Sequence, residues 1–222
     1  MISSAYQKGF KITMKKLILE MLELQDAMNK QVDIDWINKN REWYRAIWIE
    51  CGELMEHYGG WKWWKKSQKD LGQILLELVD IWHFGLSSII NQQRNIELAT
   101  ENILKLWDSS NSNQEFYSSV EKLASTALIK KEFSVIDFKS AVSSAGFTFN
   151  DIYKGYIGKN ILNHFRQANG YKEGTYIKNW NGLEDNVILF EIQNSITSVG
   201  QDFKDKLYKS LEAKYKSVTE AD

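Results

Sequence analysis

The chain has 222 residues, a formal net charge of -1, a single cysteine and no proline. That length holds one large domain or two small ones; the balanced charge gives no reason to expect a nucleic-acid or membrane partner. A lone Cys51 excludes an intramolecular disulfide and suits a reducing, cytoplasmic setting. The N-terminus, Met1-Ile-Ser-Ser, lacks the apolar core of a signal peptide, and no apolar run is expected to reach the length that crosses a bilayer. Helical periodicity recurs along the chain and period-2 alternation is scarce. The expected class is therefore all-α, with glycines as the punctuation.

The spacing of Leu17, Met21, Leu24 and Met28 predicts a first helix over 14–31 with a core stripe. Gln25 and Asn29 lie four apart on an adjacent face. They are either an ordinary polar edge or a paired donor and acceptor set for a planar polar ring. Asp33 to Asn40 reads as a polar connection anchored by Trp36.

The second predicted helix, about 41–58, carries Glu50 and Glu53 and ends at Gly59-Gly60. The third, about 69–93, carries Glu77 and Asp80. Each carboxylate pair is three residues apart, one helical turn, and sits among apolar residues. Four carboxylates converging in such surroundings require cations, and hard oxygen donors suit Mg²⁺ or Mn²⁺ better than zinc. The plainer alternative is two amphipathic helices with solvated acidic edges. His83, one turn beyond Asp80, completes a polar pocket or is a hydrogen-bonded structural residue. Between these helices, Trp61-Lys-Trp-Trp64-Lys-Lys66 puts three indoles within four residues. They cannot share one helical face, so some are exposed or line a cleft.

Residues 94–149 form a less informative helical segment, interrupted by the polar loop Asp108-Ser-Ser-Asn-Ser-Asn-Gln114. Helices resume over about 150–215. In Tyr156–Gln167, the residues Lys159, Asn163 and Arg166 follow spacings of four and three along one face. The Gly- and Asn-rich stretch from Asn169 to Asn186 adds Lys172 and Lys178. A cationic face with a mobile loop is a plausible clamp for a polyphosphate, or equally a solvated basic surface. The expected architecture is one domain over 1–222. It would be a helical bundle with two facing acidic helices, a helical subdomain and a mobile C-terminal loop region.

The motifs resemble the dimeric, all-α dUTPases of the all-α nucleoside-triphosphate pyrophosphatase superfamily. The resemblance lies in Leu24-Gln25-x-x-Met28-Asn29, Glu50-Cys-Gly-Glu53-Leu, Trp61-Lys-x-Trp64-Lys and Glu77-Leu-Val-Asp80-Ile-Trp-His83-Phe. It continues in the long string from Gly158-Lys159 through Asn163, Arg166 and Lys172 to Glu184-Asp185-Asn186. The acidic pairs mark the superfamily; the long string points to the dUTPase branch. The resemblance implies metal binding by Glu50, Glu53, Glu77 and Asp80, with Glu50 also handling the attacking water. It implies base binding by Gln25, Asn29 and His83 with Trp61 or Trp64 against the ring. Sugar and phosphate binding would fall to Lys159, Asn163, Arg166, Lys172 and Asn186, with Lys62 or Lys65 assisting. The implied reaction is Mg²⁺-dependent hydrolysis of dUTP to dUMP and diphosphate, by metal-activated water at the α-phosphorus. The implied assembly is a homodimer. A dCTP-cleaving sibling and a non-catalytic helical module remain as alternatives. A di-iron bundle is disfavoured, because neither acidic pair has the Glu-x-x-His form.

Overall fold

The computed structural model describes residues 4–109 and 114–219. Most of the loop predicted over 108–114 lies outside the described residues. The helices are α1 (Ser4–Val32), α2 (Trp43–Tyr58), α3 (Leu71–Gln93), α4 (Ile96–Ser109), α5 (Phe116–Lys130), α6 (Val135–Ser144), α7 (Phe149–Ala168), α8 (Asp185–Ser195) and α9 (Gln201–Thr219). The all-α expectation holds. The chain forms two compact units, residues 1–149 and 150–222, with the boundary in the first turn of α7.

The first unit is built around α3. Asp70 caps its start by accepting from the Gln73 amide, and Arg94 ends it in the left-handed region at φ 52°. Between these ends almost every side chain is buried, from Ile74 to Ile90. At about 1.5–3 kcal/mol for each fully buried aliphatic side chain, α3 is the main source of burial energy in this unit. Helices α1, α2 and α4 pack on it, while α5 covers α2 and α6. Trp82 stacks on Phe138 at 5.0 Å and meets Trp107 edge-on at 6.0 Å. Opposite Phe133 the helix has Gly85, where a Cβ would lie 2.6 Å from the ring.

This helix corrects one expectation. Its 23 residues reach a mean hydropathy of 1.3 over an 18-residue window, so by length and composition it could cross a membrane. Within the structure 78% of that window is buried against other helices.

Helix α1 begins at Ser4, well before the predicted residue 14. Its buried face runs through Leu17, Ile18, Met21 and Leu22 and continues into Gln25 and Asn29, which are 2% and 8% exposed. The two amides therefore occupy core positions rather than an edge. Trp36 anchors the following turn as expected, buried with its indole N–H donating to Asp26 at 3.0 Å.

In the second unit a hairpin stands where sequence reading expects only loop. Strand β1 (Asn179–Trp180) pairs antiparallel with β2 (Leu183–Glu184). Asn181 and Gly182 form the turn with φ 53° and 91°. Two successive positive φ values suit Asn-Gly, and this dipeptide was the legible signal. The hairpin is held by an aromatic core. Trp180 is buried, Phe165 meets it at 5.9 Å, and Tyr176 stacks on Tyr215 at 5.2 Å.

Candidate active site

Helices α2 and α3 pack face to face and bring the two acidic pairs together. Ligand oxygens of Glu50, Glu53 and Glu77 lie within 4.8 Å of one another. Asp80 stands outside that group, yet its charge acts on Glu50. Glu77 is buried, Glu50 and Asp80 are half-buried and Glu53 is exposed, so the cluster opens to solvent at the Glu53 side. Burial first, then a hydrogen bond shared with Glu77, then the charges of Asp80, Glu77 and Glu53 push the Glu50 carboxyl up to about 8.

That shift has a consequence for stability in the absence of metal. The folded state keeps a proton on Glu50 up to about pH 8, whereas an unfolded chain releases it near the ordinary value of 4.5. Between those values the folded state binds more protons, so stability falls as pH rises through the window. Thermal melts in chelator should show this decline, and Glu50→Gln should flatten it and melt a few degrees higher at pH 8. A variant whose melting profile tracks the parent at every pH would contradict the strained cluster.

One neighbour escaped sequence reading. The Nε2 atom of His57 lies 3.5 Å from Glu77 Oε1. His57 follows Glu53 by four residues on α2, a spacing visible in the sequence. Cys51, although adjacent to Glu50, is buried. Burial and the Glu50 charge push its thiol up to about 12, which makes it an inert core residue.

A second polar cluster lies on α1 and the C-terminal half of α3. Gln25 Oε1 meets His83 Nδ1 at 2.7 Å, and Gln25 Nε2 donates to Asn29 Oδ1 at 3.2 Å. Both amide nitrogens donate to Ser87 Oγ at 2.9 Å. Gln25, Asn29 and His83 are thus gathered as expected, and Ser87 joins them unforeseen.

The indole loop is exposed. Trp61, Trp63 and Trp64 are 41%, 89% and 59% accessible, and Trp64 meets both others edge-on at 5.7 and 5.4 Å. Lys62 pairs with Glu56 and lies 5.1 Å from the Trp61 ring. The loop base is fastened to α5, because the Tyr117 hydroxyl donates to the Gly59 carbonyl and Tyr58 stacks on Phe116 at 3.5 Å. This gives part of the uninformative 94–149 segment a definite task.

In the second unit Lys159, Asn163 and Arg166 follow one face of α7, all half-buried. Arg166 is held firmly. Its Nε and Nη2 donate to the two oxygens of Asp185 at 2.8 and 2.7 Å, Nη1 donates to Asn163 Oδ1 at 3.3 Å and Nη2 also to Asn186 Oδ1 at 3.3 Å. Asp185 is fully buried and takes a third bond from the Tyr176 hydroxyl at 2.8 Å. Lys172 is exposed in the turn after α7. Arg166, Asn163 and Asn186 are therefore one connected network, and the residue that organises it, Asp185, was not among the predicted site residues.

An all-α fold that sets Glu-x-x-Glu against Glu-x-x-Asp on two packed helices, with a buried amide cluster beyond them, is the arrangement that the resemblance to the all-α nucleotide pyrophosphatases implies. The family relation is more particular. The profile of the dUTPase family matches residues 17–171, and the chain belongs to that family, in its all-α form. It is accordingly an enzyme that hydrolyses dUTP. The matched region contains both acidic pairs, the amide cluster, the indole loop and the cationic face of α7; Lys172 and Asn186 lie beyond it. No curated protein matches the chain.

Proposed function

We propose that the enzyme is a Mg²⁺-dependent dUTP pyrophosphatase, converting dUTP and water to dUMP and diphosphate, with Mn²⁺ as an alternative ion. The observation that carries the metal reading is the three-carboxylate cluster with its raised Glu50. Negative charge crowded into a half-buried site is what a hard divalent cation relieves. Glu50, Glu53 and Glu77 would hold the ion, with Asp80 completing the charge. Bound there, Mg²⁺ would lower the pKa of water and neutralise phosphate charge. Glu50 would accept a proton from an attacking water, its carboxylate kept in the charged form by a bound cation.

The Gln25–Asn29–His83 cluster is proposed as the base end, with Trp61 or Trp64 against the ring. Trp64 is the stronger candidate for the wall, since it contacts both other indoles. Lys159, Asn163, Arg166, Lys172 and Asn186 are proposed for sugar and phosphates. Arg166 has its guanidinium oriented by Asp185. A homodimer follows from the resemblance, and sedimentation giving the mass of two chains would support it.

The decisive measurement is diphosphate release from dUTP, dCTP, dTTP and ATP, and orthophosphate release from dUDP, each with Mg²⁺ and with chelator. Hydrolysis of dUTP that needs the metal and exceeds that of dCTP is expected. Equal turnover in chelator would remove the metal from the reaction, and equal turnover of dCTP would remove the base assignment. The dUDP arm tells whether the site requires the γ-phosphate.

A further inference from the structure

Ser87 lies inside α3, fully buried, one turn after His83 and beyond every motif that marks the site. A serine hydroxyl has one proton to donate and two lone pairs to accept with. Here the proton goes to the His83 carbonyl at 3.0 Å, the bond a helical serine commonly makes to the preceding turn. Both lone pairs are taken, one by Gln25 Nε2 and one by Asn29 Nδ2, each at 2.9 Å. The hydroxyl is saturated.

This saturation sets the polarity of the pocket. An amide can usually be turned end for end, with its oxygen and nitrogen exchanged. Around Ser87 that freedom is lost, because an oxygen with no proton left can only receive. Both amides must direct nitrogen towards it. Gln25 then has one N–H on Ser87 and the other on Asn29, and its oxygen accepts from His83 Nδ1. The two N–H groups of Gln25 are therefore engaged inside the protein. Asn29 has given one N–H to Ser87, and its second is the amide donor the network leaves for a ligand.

We propose that Ser87 is a specificity-determining residue of this enzyme. By holding both amides with nitrogen inward, it makes Asn29 a donor toward the base, so that the pocket takes a pyrimidine carbonyl oxygen and rejects an exocyclic amine. A cytosine amine would set donor against donor. The inference rests on the reading of this cluster as the base end, and Ser87 acts as a positioning residue that does not touch the nucleotide.

The test compares kcat/KM for dUTP and dCTP in Ser87→Ala, Ser87→Cys and Asn29→Ala, with a melting curve for each. Ser87→Ala removes the acceptor and lets both amides turn. The dUTP-to-dCTP ratio should fall by about tenfold or more, mainly through a higher KM for dUTP. Ser87→Cys keeps the shape of the side chain with a bulkier, weaker acceptor and should lower the ratio too, which preserves the test if the alanine variant does not fold. A wild-type ratio in the folded Ser87 variants, together with a lowered ratio in Asn29→Ala, overturns the role of Ser87 and leaves the base assignment standing. A wild-type ratio in Asn29→Ala removes the base assignment itself.

Discussion

Glu77→Gln is expected to abolish Mg²⁺-dependent diphosphate release while the metal-free protein melts at a higher temperature than the parent. Glu77 is the most buried of the three clustered carboxylates and touches both Glu50 and His57. Its charge therefore matters in two opposed ways. With metal, it is the anionic ligand least screened by water, and losing charge stabilisation worth several kcal/mol costs on the order of 10³-fold in rate. Without metal, the same charge repels its neighbours, and neutralising it relieves that repulsion. Glu53→Gln, at the exposed edge, should cost turnover with less gain in stability. The pairing of lost activity with gained stability separates a metal site from a structural one. Full turnover, or a variant less stable than its parent, would refute the assignment of Glu77.

The second large effect is expected in residues 150–222. Arg166→Ala leaves the buried Asp185 without its cation and short of two hydrogen bonds. Removing one partner of a buried ion pair typically costs about 3–5 kcal/mol. The double variant Arg166→Ala with Asp185→Ala should recover much of that loss, because no isolated charge is left behind. Denaturant unfolding of the full chain, with limited proteolysis read at sites after residue 150, measures both. If Arg166→Ala unfolds like the parent, the pair is not what holds the hairpin to α7. Activity should fall in both variants, so recovery of stability without recovery of activity marks the separate contribution of the guanidinium to phosphate binding.

The legible parts of this molecule are those whose signal is local. The acidic pairs advertise themselves because two carboxylates one turn apart among apolar neighbours are costly unless something uses them. Their facing arrangement was expected from that shared need for a cation, even though residues 59–70 separate α2 from α3. The amides at Gln25 and Asn29 were legible as a pair but not as core residues. The stripe Leu17–Met21–Leu24–Met28 suggested one face; Leu17 and Met21 are indeed buried, but Leu24 and Met28 are only half-buried, and burial turns instead through Ile18 and Leu22 to Gln25 and Asn29.

What stayed hidden depends on partners far along the chain. Ser87 bonds Gln25 across 62 residues, and a serine in a helix carries no mark of such a partner. Asp185 resembles an acidic residue complementing a helix N-terminus until the fold brings Arg166 to it. His57 was within reach of sequence reasoning, at the same one-turn spacing that drew notice to His83. The hairpin was within reach as well, through Asn181-Gly182.

Helix α3 carries Glu77, Asp80, His83 and Ser87 on the element that is also the most deeply packed in its unit. A substitution there meets two demands at once, one from folding and one from chemistry. Divergence toward a different nucleotide has most room in the exposed indole loop, where a substitution can alter what is recognised without opening the core. An experimenter seeking a changed base preference would do well to randomise Trp61–Trp64 first, and to leave α3 as the fixed template against which the variants are selected.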